Sequence, residues 1–261
     1  MARSARQAHT KAVVVVTGGA SGIGESVARH YAVNGARVVV LDVDAKRGVR
    51  LAHSLADRLL FLTCDVSESA RVATAFQEIG RRYNHIDVLV NNVAVQEYKS
   101  VADCSEELWD RIMAVNVKSY FLCAKQALPW LRRARAPVIV NMASANSFVA
   151  MRNAAAYVTS KAAILGLTRS LAVDCAPWLR CVAVCPGAVH TPALRRDFAR
   201  VPASQRADVV AETKAIHLTN RITSPEEVAA FVEFIASPRA PSATGQAYRI
   251  DGGIGVCVEG T

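Results

Sequence analysis

Seven short apolar runs of strand length alternate along the chain with longer segments in which apolar residues recur at helical spacing. The first run, residues 12–17, is an unbroken valine-rich stretch of the kind that is buried on both faces of a parallel sheet. This alternation predicts an α/β fold, a doubly wound, mostly parallel seven-stranded sheet with helices on both faces. The predicted strands are residues 12–17, Val38–Leu41, Leu59–Leu62, Ile86–Val90, Val138–Val140, Cys181–Val184 and Ala247–Ile250.

The segments between these runs carry helix signals. Val72, Phe76 and Ile79 recur at the spacing that places apolar residues on one face of a helix. Ser224 is followed at once by a proline and three residues later by Glu227, which is the pattern of a helix N-terminus. We therefore expect helices between the strands and a helix that begins after Ser224.

The longest segment without a strand or helix signal runs from Val189 to Asn220 and contains Pro192 and Pro202. A connection of this length usually serves a function. Because doubly wound sheets bind their ligands outside the carboxyl ends of the strands, we expect residues 189–220 to form an irregular substrate lid over that edge.

The 261 residues, of which 52% are apolar and 20% charged, suit one folded core and exclude the disordered and collagen-like classes. We expect one domain over residues 11–261, preceded by a mobile basic tail at residues 1–10. No apolar run reaches the ~18 residues that a membrane-spanning helix needs, and the tail lacks the apolar core of a signal peptide. These features favour a soluble cytoplasmic protein with no membrane partner.

Charge and cysteine pattern limit the possible partners. The formal net charge is +9, but the 24 arginines are scattered along the chain rather than gathered into a basic stripe with aromatic residues between them. We therefore expect no nucleic-acid partner, and assign the excess charge to attraction of an anionic small molecule or to an arginine-rich surface. The seven cysteines include no CxxC pair, so they are interpreted as reduced, mostly buried thiols and not as metal ligands.

A glycine-rich turn stands directly after the first predicted strand and before a helical segment that reaches Val33. It reads Thr-Gly-Gly-Ala-Ser-Gly-Ile-Gly over residues 17–24. Glycine at 18, 22 and 24 permits a tight turn and a close approach of the backbone to a pyrophosphate, while the helix N-terminus presents free N–H groups. The order of strand, glycines and helix favours a dinucleotide-binding turn over an ordinary strand-to-helix connection.

Asp42 closes the second predicted strand, where a carboxylate can accept hydrogen bonds from the ribose hydroxyls of a dinucleotide. The same carboxylate repels a 2′-phosphate by about 4 kcal/mol at ~4 Å and an effective dielectric constant of ~20. Ser21 and Val43 supply no cation, and Lys46 and Arg47 are interpreted as residues of a solvated helix face. We therefore predict NAD rather than NADP as the cofactor.

Tyr157 and Lys161 stand four residues apart at the start of an alanine-rich helical segment, so both side chains project from one face. A phenol with a pKa of ~10 is a poor base at neutral pH, but a neighbouring ammonium group favours the phenolate and lowers the pKa. Tyr157 can then exchange a proton with an alcohol. Taken alone, the pair also fits a surface tyrosine stacked on a lysine stem.

Five further motifs accompany the glycine turn and the tyrosine–lysine pair. They are Cys64-Asp65-Val66, Asn91-Asn92-Val93-Ala94, Asn116 in Val-Asn-Val-Lys, Ser144 in Asn-Met-Ala-Ser, and Pro186 to Thr191. In order and spacing the chain resembles the short-chain dehydrogenase/reductase family, from Lys11 to about Gly253. The resemblance implies a Rossmann fold and an active oxidoreductase that acts on the CH–OH group of a secondary alcohol with a nicotinamide cofactor. One departure is that Val93 and Ala94 stand where the family usually has Ala-Gly, which places extra methyl groups near the cofactor.

The resemblance also implies roles for individual residues. Ser144 holds the substrate oxygen and Tyr157 transfers the proton. Lys161 binds the nicotinamide ribose and lowers the pKa of Tyr157, and Asn116 supports a water-linked proton relay to Lys161. Asp65 bonds the adenine amine, and the loop from Pro186 to Thr191 grips the nicotinamide carboxamide. The implied cofactor-binding set is Gly18, Ser21, Gly22, Ile23, Gly24, Asp42, Asp65, Val66, Asn92, Ala94, Tyr157, Lys161, Pro186, Gly187, Val189 and Thr191.

The substrate is expected between Tyr157, the loops after the fourth and fifth strands, and the lid. Polar side chains outnumber aromatic ones among the candidate wall residues, which favours a hydroxylated substrate such as a sugar or polyol; Arg152 could instead contact a carboxylate or phosphate. His190 and His217 are interpreted as loop residues without an acid/base role. The candidate wall residues are Gln96, Asn146, Phe148, Arg152 and His190.

Two other functions stay open. A 3-oxoacyl-thioester reductase would share the catalytic residues but would normally use NADPH. A non-catalytic dinucleotide-binding regulatory protein would keep the fold without turnover, although the intact Ser144, Tyr157 and Lys161 count against it. The resemblance further implies a homotetramer in which the helices that carry Asn116 and Tyr157 face neighbouring subunits.

Overall fold

A computed structural model describes residues 12–256, so the predicted tail at residues 1–10 lies outside the described residues. Within that range, seven parallel strands form one sheet in the order β3-β2-β1-β4-β5-β6-β7. All the predicted strands are confirmed, with ends that differ by at most two residues. The strands are β1 Val13–Thr17, β2 Arg37–Asp42, β3 Leu59–Thr63, β4 Val88–Asn91, β5 Val138–Met142, β6 Arg180–Pro186 and β7 Ala247–Ile250.

Helices cover both faces of the sheet, as the alternating pattern predicts. Successive strand residues point to opposite faces, so the strand valines divide between two apolar cores. One core packs Val14 and Val16 with α1, α2 and α9, and the other packs Val15 with α3, α5 and α6. The helices are α1 Gly22–Val33, α2 Ala45–Ser54, α3 Ser69–Tyr83, α4 Glu106–Met113, α5 Ser119–Leu131, α6 Ala155–Asp174, α7 Pro192–Arg200, α8 Arg206–Ala215 and α9 Pro225–Ala236.

The expectation of an irregular segment at residues 189–220 is wrong, because α7 and α8 form within it. The prolines border the first of these helices instead of interrupting it. Pro192 occupies the first helical position, where proline is tolerated, and the Thr191 hydroxyl caps the helix by accepting the Leu194 N–H at 3.2 Å. Pro202 follows two residues after the helix ends. The role of this segment as a lid stays a prediction.

The helix predicted after Ser224 is confirmed as α9, with the Ser224 hydroxyl and the Glu227 carboxylate forming a reciprocal capping box. No helix among residues 12–256 is both long and apolar enough to cross a membrane.

Candidate active site

The glycine turn between β1 and α1 is held from two sides by neighbouring strands. On one side, the Gly18 N–H donates to the Leu41 carbonyl at 2.7 Å, and the Ala20 N–H donates to Oδ2 of Asp42 at 2.9 Å. On the other side, Nδ2 of Asn92 donates to the carbonyls of Thr17 and Gly18 at 3.1 and 3.0 Å. Asn92 therefore acts in this structure as a clamp on the turn.

Three positions in the turn require glycine for different reasons. Gly18 and Gly22 have φ values of +64° and +59°, which residues with a side chain rarely adopt. A Cβ on Gly24 would lie 2.3 Å from the Gly18 carbonyl oxygen. Among the described residues, the Ser21 hydroxyl makes no capping bond to α1, so the first N–H groups of the helix are left to bind an anion. The turn thus fits the pyrophosphate of a dinucleotide.

Asp42 lies beside this turn at the end of β2, as predicted. Besides its bond to Ala20, its Oδ1 accepts the Asp44 N–H at 2.9 Å. Each carboxylate oxygen can accept a further hydrogen bond, so the group still suits the ribose hydroxyls of a bound dinucleotide.

Arginines surround a cavity of about 330 Å³ next to the turn. Arg29 pairs with Glu25 at 2.8 Å, and Arg47 pairs with Asp44 at 3.4 Å. Arg47 is solvent-exposed, as predicted, but it also lines this cavity together with Arg29 and Arg50. The lining residues are Ala20, Ser21, Glu25, Arg29, Arg47, Arg50, Leu51 and Pro192.

The remaining predicted residues of the adenine side follow β3 and β4. Oδ1 of Asp65 accepts the Ser67 N–H at 2.9 Å and the Ser67 hydroxyl at 2.7 Å. Val66 is buried and Ala94 is exposed. Ile23 and Val93 pack against the apolar cores, so the bulk of Val93, which departs from the family pattern, is directed at least partly into the protein interior.

The loop after β6 crosses the glycine turn. A Cβ on Gly22 would lie 3.3 Å from Cγ2 of Thr191, which places this loop against the turn. Val189 is buried and forms a parallel bridge with Thr223, which fixes the loop between β6 and α7. Pro186 and Gly187 lie at the end of β6, where the resemblance expects the nicotinamide end of the cofactor.

His217 supports this loop. Its structural role was not predicted from the sequence. It is 1% exposed, and its Nε2 accepts the Ala188 N–H at 3.1 Å. Its Nδ1 lies 2.7 Å from the Thr213 carbonyl, so the neutral ring donates there. The residue does follow α8 in a turn, as predicted, but no sequence pattern signalled that its ring joins α8 to the loop after β6.

Tyr157 and Lys161 lie one turn apart at the start of α6 and are 5% and 3% exposed, which excludes the surface interpretation of the pair. Nζ of Lys161 donates to the Met142 carbonyl at 2.9 Å and lies 5.8 Å from the centre of the Tyr157 ring. The two side chains are therefore brought together near the carboxyl end of β5.

The phenol oxygen of Tyr157 meets polar groups from two loops. Nε2 of Gln96 donates to it at 3.1 Å, and the Ser144 hydroxyl lies close enough to lower its pKa. Oγ of Ser144 in turn accepts the Asn146 N–H at 3.1 Å. Gln96, Ser144 and Tyr157 thus form one cluster around the oxygen that the resemblance assigns to proton transfer.

Burial dominates the protonation of this cluster. Burial raises the pKa of Tyr157, while the hydrogen bond from Gln96 and the nearby Ser144 hydroxyl lower it. Burial lowers the pKa of Lys161 to about 8. Within the described residues, Lys161 is not among the groups that lower the pKa of Tyr157, so that part of its expected role stays a prediction.

Asn116 lies at the centre of a π-helical turn, Ala114–Lys118, between α4 and α5. Its side chain is fully buried: Oδ1 accepts the Val95 N–H at 2.8 Å, and Nδ2 donates to the Val95 carbonyl at 3.1 Å and to the Ser160 hydroxyl at 3.0 Å. These contacts join the loop after β4 to α6. The water-linked relay to Lys161 stays a prediction.

The predicted substrate residues divide into two groups. Gln96 contacts Tyr157, and Asn146 lies two residues beyond Ser144. Phe148 is 47% exposed beneath the guanidinium of Arg249. Arg152 and His190 are exposed, and no hydrogen bond joins their side chains to the tyrosine cluster in the described structure.

Two residues near the cluster were not predicted from the sequence. Tyr98 packs edge-on against the Tyr157 ring with 6.0 Å between ring centres. Asp197 of α7 lies close enough for its charge to raise the pKa of both tyrosines. Because residues 189–220 were expected to be irregular, the sequence did not show which side chains of this segment would face the site, and Asp197 could not be predicted.

The chain is similar to known oxidoreductases over nearly its whole length. A family model described as enoyl-(acyl carrier protein) reductase matches residues 18–255. A dehydrogenase/reductase SDR family member 6 from Aquarana catesbeiana is 37% identical over 247 residues, which cover 92% of this chain and 96% of the relative. A 2-(R)-hydroxypropyl-CoM dehydrogenase from Xanthobacter autotrophicus is 35% identical over 258 residues, with 92% and 97% covered.

A solved structure gives the same result for the fold. Ligand-free aldohexose dehydrogenase from Thermoplasma acidophilum has a TM-score of 0.89 and 35% sequence identity with this chain, and 96% of each chain is covered. The chain therefore belongs to the short-chain dehydrogenase/reductase family, whose members are oxidoreductases that act on CH–OH groups with a nicotinamide cofactor, NAD or NADP.

Proposed function

We propose that the protein is an NAD-dependent dehydrogenase that transfers a hydride between a secondary alcohol and nicotinamide, with Tyr157 as the acid/base. One observation carries the proposal: the buried phenol oxygen of Tyr157 meets Gln96 and Ser144, one helical turn from the buried Lys161. A phenol placed in this way has neighbouring groups that can bind the reacting oxygen of a substrate.

The side chains of the cluster have separate tasks in this proposal. Tyr157 takes the hydroxyl proton during oxidation and returns it during reduction, while Ser144 donates a hydrogen bond to the substrate oxygen as negative charge develops there. Lys161 binds the nicotinamide ribose, and Asn116 supports the proton relay. The cofactor, when bound, supplies the hydride acceptor or donor.

The cofactor site is proposed to extend from the adenine to the nicotinamide end along the carboxyl edge of the sheet. The first N–H groups of α1 bind the pyrophosphate, Asp42 binds the adenosine ribose, and Asp65 the adenine. The loop after β6 binds the carboxamide through Val189 and Thr191. Its anchoring by the Thr223 bridge and by His217 supports this placement.

We propose NAD over NADP because Asp42 already accepts two backbone hydrogen bonds at the ribose position and would face a 2′-phosphate as a like charge. The arginines around the neighbouring cavity favour a second candidate, an NADPH-dependent 3-oxoacyl-thioester reductase. The two candidates differ in which dinucleotide binds more tightly.

Titration with both reduced dinucleotides separates these candidates. We expect NADH to bind more tightly than NADPH, and Asp42→Ala to narrow the difference. Asp57→Ala is a matched control, since it removes an exposed carboxylate from the short turn after α2. Equal or tighter NADPH binding by the unmodified protein contradicts the NAD assignment.

The substrate is proposed to be a hydroxylated small molecule such as a sugar or polyol. The polar character of Gln96 and Asn146 and the similarity to an aldohexose dehydrogenase support this class. A panel of secondary alcohols, sugars, polyols and hydroxy acids, followed by NADH absorbance, tests it. Tight NAD binding without turnover across the panel would favour the non-catalytic regulatory protein.

A cytoplasmic homotetramer is the proposed form of the enzyme. Trp109 of α4 and Phe121 of α5 are 38% and 47% exposed, and such large apolar side chains suit an interface. Buried free thiols, among them Cys123 and Cys181, suit a reducing compartment. Light scattering during gel filtration tests the assembly, and a monomer at working concentration would contradict it.

A further inference from the structure

The loop after β4 contacts Tyr157 at two points. Gln96 donates a hydrogen bond from Nε2 to the phenol oxygen at 3.1 Å, and Tyr98 packs edge-on against the phenol ring. Gln96 is partly buried and lies 61 positions before the tyrosine in the chain. A neutral amide donor therefore reaches the same oxygen that is proposed to carry the proton.

The position of this amide is controlled by one buried side chain. Asn116 bonds both backbone polar groups of Val95, the residue directly before Gln96. The same Asn116 amide donates to the Ser160 hydroxyl, which donates in turn to the Tyr157 carbonyl at 2.7 Å. Asn116 therefore connects the backbone next to Gln96 with the backbone of Tyr157, directly at Val95 and through Ser160 at the Tyr157 carbonyl.

We propose that Gln96 is a further catalytic residue, whose amide N–H stabilises the ionised phenol oxygen of Tyr157, and that Asn116 is a positioning residue that acts through Val95. The proposal rests on the proposed function, because it concerns the same proton transfer. An amide N–H donates to a phenolate more strongly than to a neutral phenol, and the amide itself does not titrate. Gln96 can therefore favour the base form without changing the net charge of the site.

The groups around the phenol shift the pKa of Tyr157 in opposite directions. Burial raises the pKa of Tyr157, and the charge of Asp197 raises it further, whereas the Gln96 hydrogen bond is the largest influence that lowers it. Loss of Gln96 should therefore move the titration of Tyr157 upward. The titratable and charged groups that face this region are Tyr98, Tyr120, Lys161, Cys185, Asp197 and Arg200.

Gln96→Met tests the catalytic part, because methionine keeps the length of the side chain and removes the donor. We expect kcat near neutral pH to fall about tenfold, and the alkaline rise of the pH profile to move upward by about one pH unit, with activity recovered at higher pH. The displacement should be the same for every substrate. Glu97→Gln is the matched control, since Glu97 pairs with Arg111 at the surface and should leave the profile unchanged.

A role in substrate binding alone gives a different result. It would raise KM by an amount that depends on the substrate and leave the pH profile unmoved, and that outcome overturns the proposal. Ultraviolet titration of phenolate in the enzyme without substrate gives a second readout. Gln96→Met should shift the ionisation of one tyrosine to higher pH relative to the unmodified enzyme. In a Tyr157→Phe background, Gln96→Met should cause no such shift.

Turnover retained by Tyr157→Phe overturns the proposed function and this inference together. An inactive Tyr157→Phe variant combined with an unmoved profile for Gln96→Met overturns this inference alone.

The positioning part is tested by combining variants. If Asn116 acts through Gln96, the single variant Asn116→Ala should displace the pH profile to higher pH. The double variant with Gln96→Met should show no larger displacement than Gln96→Met by itself. Asn116→Ser gives the same comparison if the alanine variant does not fold. An additive displacement would mean that Asn116 acts on Tyr157 by another route, and overturns its positioning through Val95.

Discussion

Replacing Lys161 with methionine should stabilise the protein while it abolishes activity. Lys161 is 3% exposed, and burial lowers its pKa from 10.5 to about 8. One pKa unit corresponds to about 1.4 kcal/mol, so keeping this amine charged at neutral pH costs about 3 kcal/mol of folding free energy. Methionine has a similar volume and an apolar stem, so it removes that cost without leaving a large cavity.

The lost hydrogen bond offsets part of the gain. Nζ of Lys161 donates to the Met142 carbonyl, and a hydrogen bond from a charged donor contributes about 2 kcal/mol. The carbonyl keeps a share of the Tyr120 hydroxyl, which lies 3.1 Å from it and 3.2 Å from the Val93 carbonyl, so it is not left wholly unsatisfied. We therefore expect Lys161→Met to raise the free energy of unfolding by about 1 kcal/mol near neutral pH.

The gain should shrink as the pH rises. Because the pKa of Lys161 is lower in the folded state, the unfolded state binds more protons between about pH 8 and 10.5, and the stability of the unmodified protein rises with pH in that window. The difference between the two proteins should fall by more than half between about pH 7 and about pH 9.5.

Urea unfolding of the dinucleotide-free proteins at these two pH values measures the effect. Lys118→Met is the control, because Lys118 is solvent-exposed and its replacement should change the stability little at either pH. A Lys161→Met protein that is less stable near pH 7, or a stability difference that does not depend on pH, would refute the argument that charge burial at Lys161 destabilises the fold.

Two other variants test how the cofactor site is held together. Gly24→Ala places a Cβ 2.3 Å from the Gly18 carbonyl oxygen and should weaken NAD binding at least about tenfold, whereas Gly166→Ala, whose Cβ meets nothing within 4 Å, should leave NAD binding unchanged in a calorimetric titration. His217→Leu leaves the Ala188 N–H without its acceptor, so it should lower the free energy of unfolding by about 2 kcal/mol and weaken NAD binding. The same substitution at the exposed His190 should change neither quantity, and equal effects at both histidines would contradict the role of His217.

The parts of the fold that were predictable from the sequence depend on local signals. A run such as Val13–Val16 is buried on both faces because it is central in a parallel sheet, and its composition shows this directly. The Tyr157/Lys161 spacing likewise determines a shared helix face. The glycine turn was predictable because its glycines stand between a strand and a helix, where the backbone must turn tightly and leaves no room for side chains.

The remaining features depend on contacts between distant segments. Gln96 meets Tyr157 across 61 positions, and His217 meets Ala188 across 29, so no local pattern predicts either pair. The prediction of irregular structure at residues 189–220 is wrong because a proline such as Pro192 can either interrupt a helix or occupy its first position, and the sequence alone does not distinguish the two. Asp197 could not be placed near the site without that helix.

The central claim, that Tyr157 transfers the proton in an NAD-linked oxidation, is tested most directly by Tyr157→Phe. Turnover and NAD affinity are measured on the same preparation, with circular dichroism to verify the fold. We predict that kcat falls by at least about a hundredfold while the Kd for NAD changes by less than about threefold, because the phenol oxygen carries the proton transfer, whereas most of the proposed contacts to the dinucleotide come from other residues. Turnover close to that of the unmodified enzyme would contradict the claim.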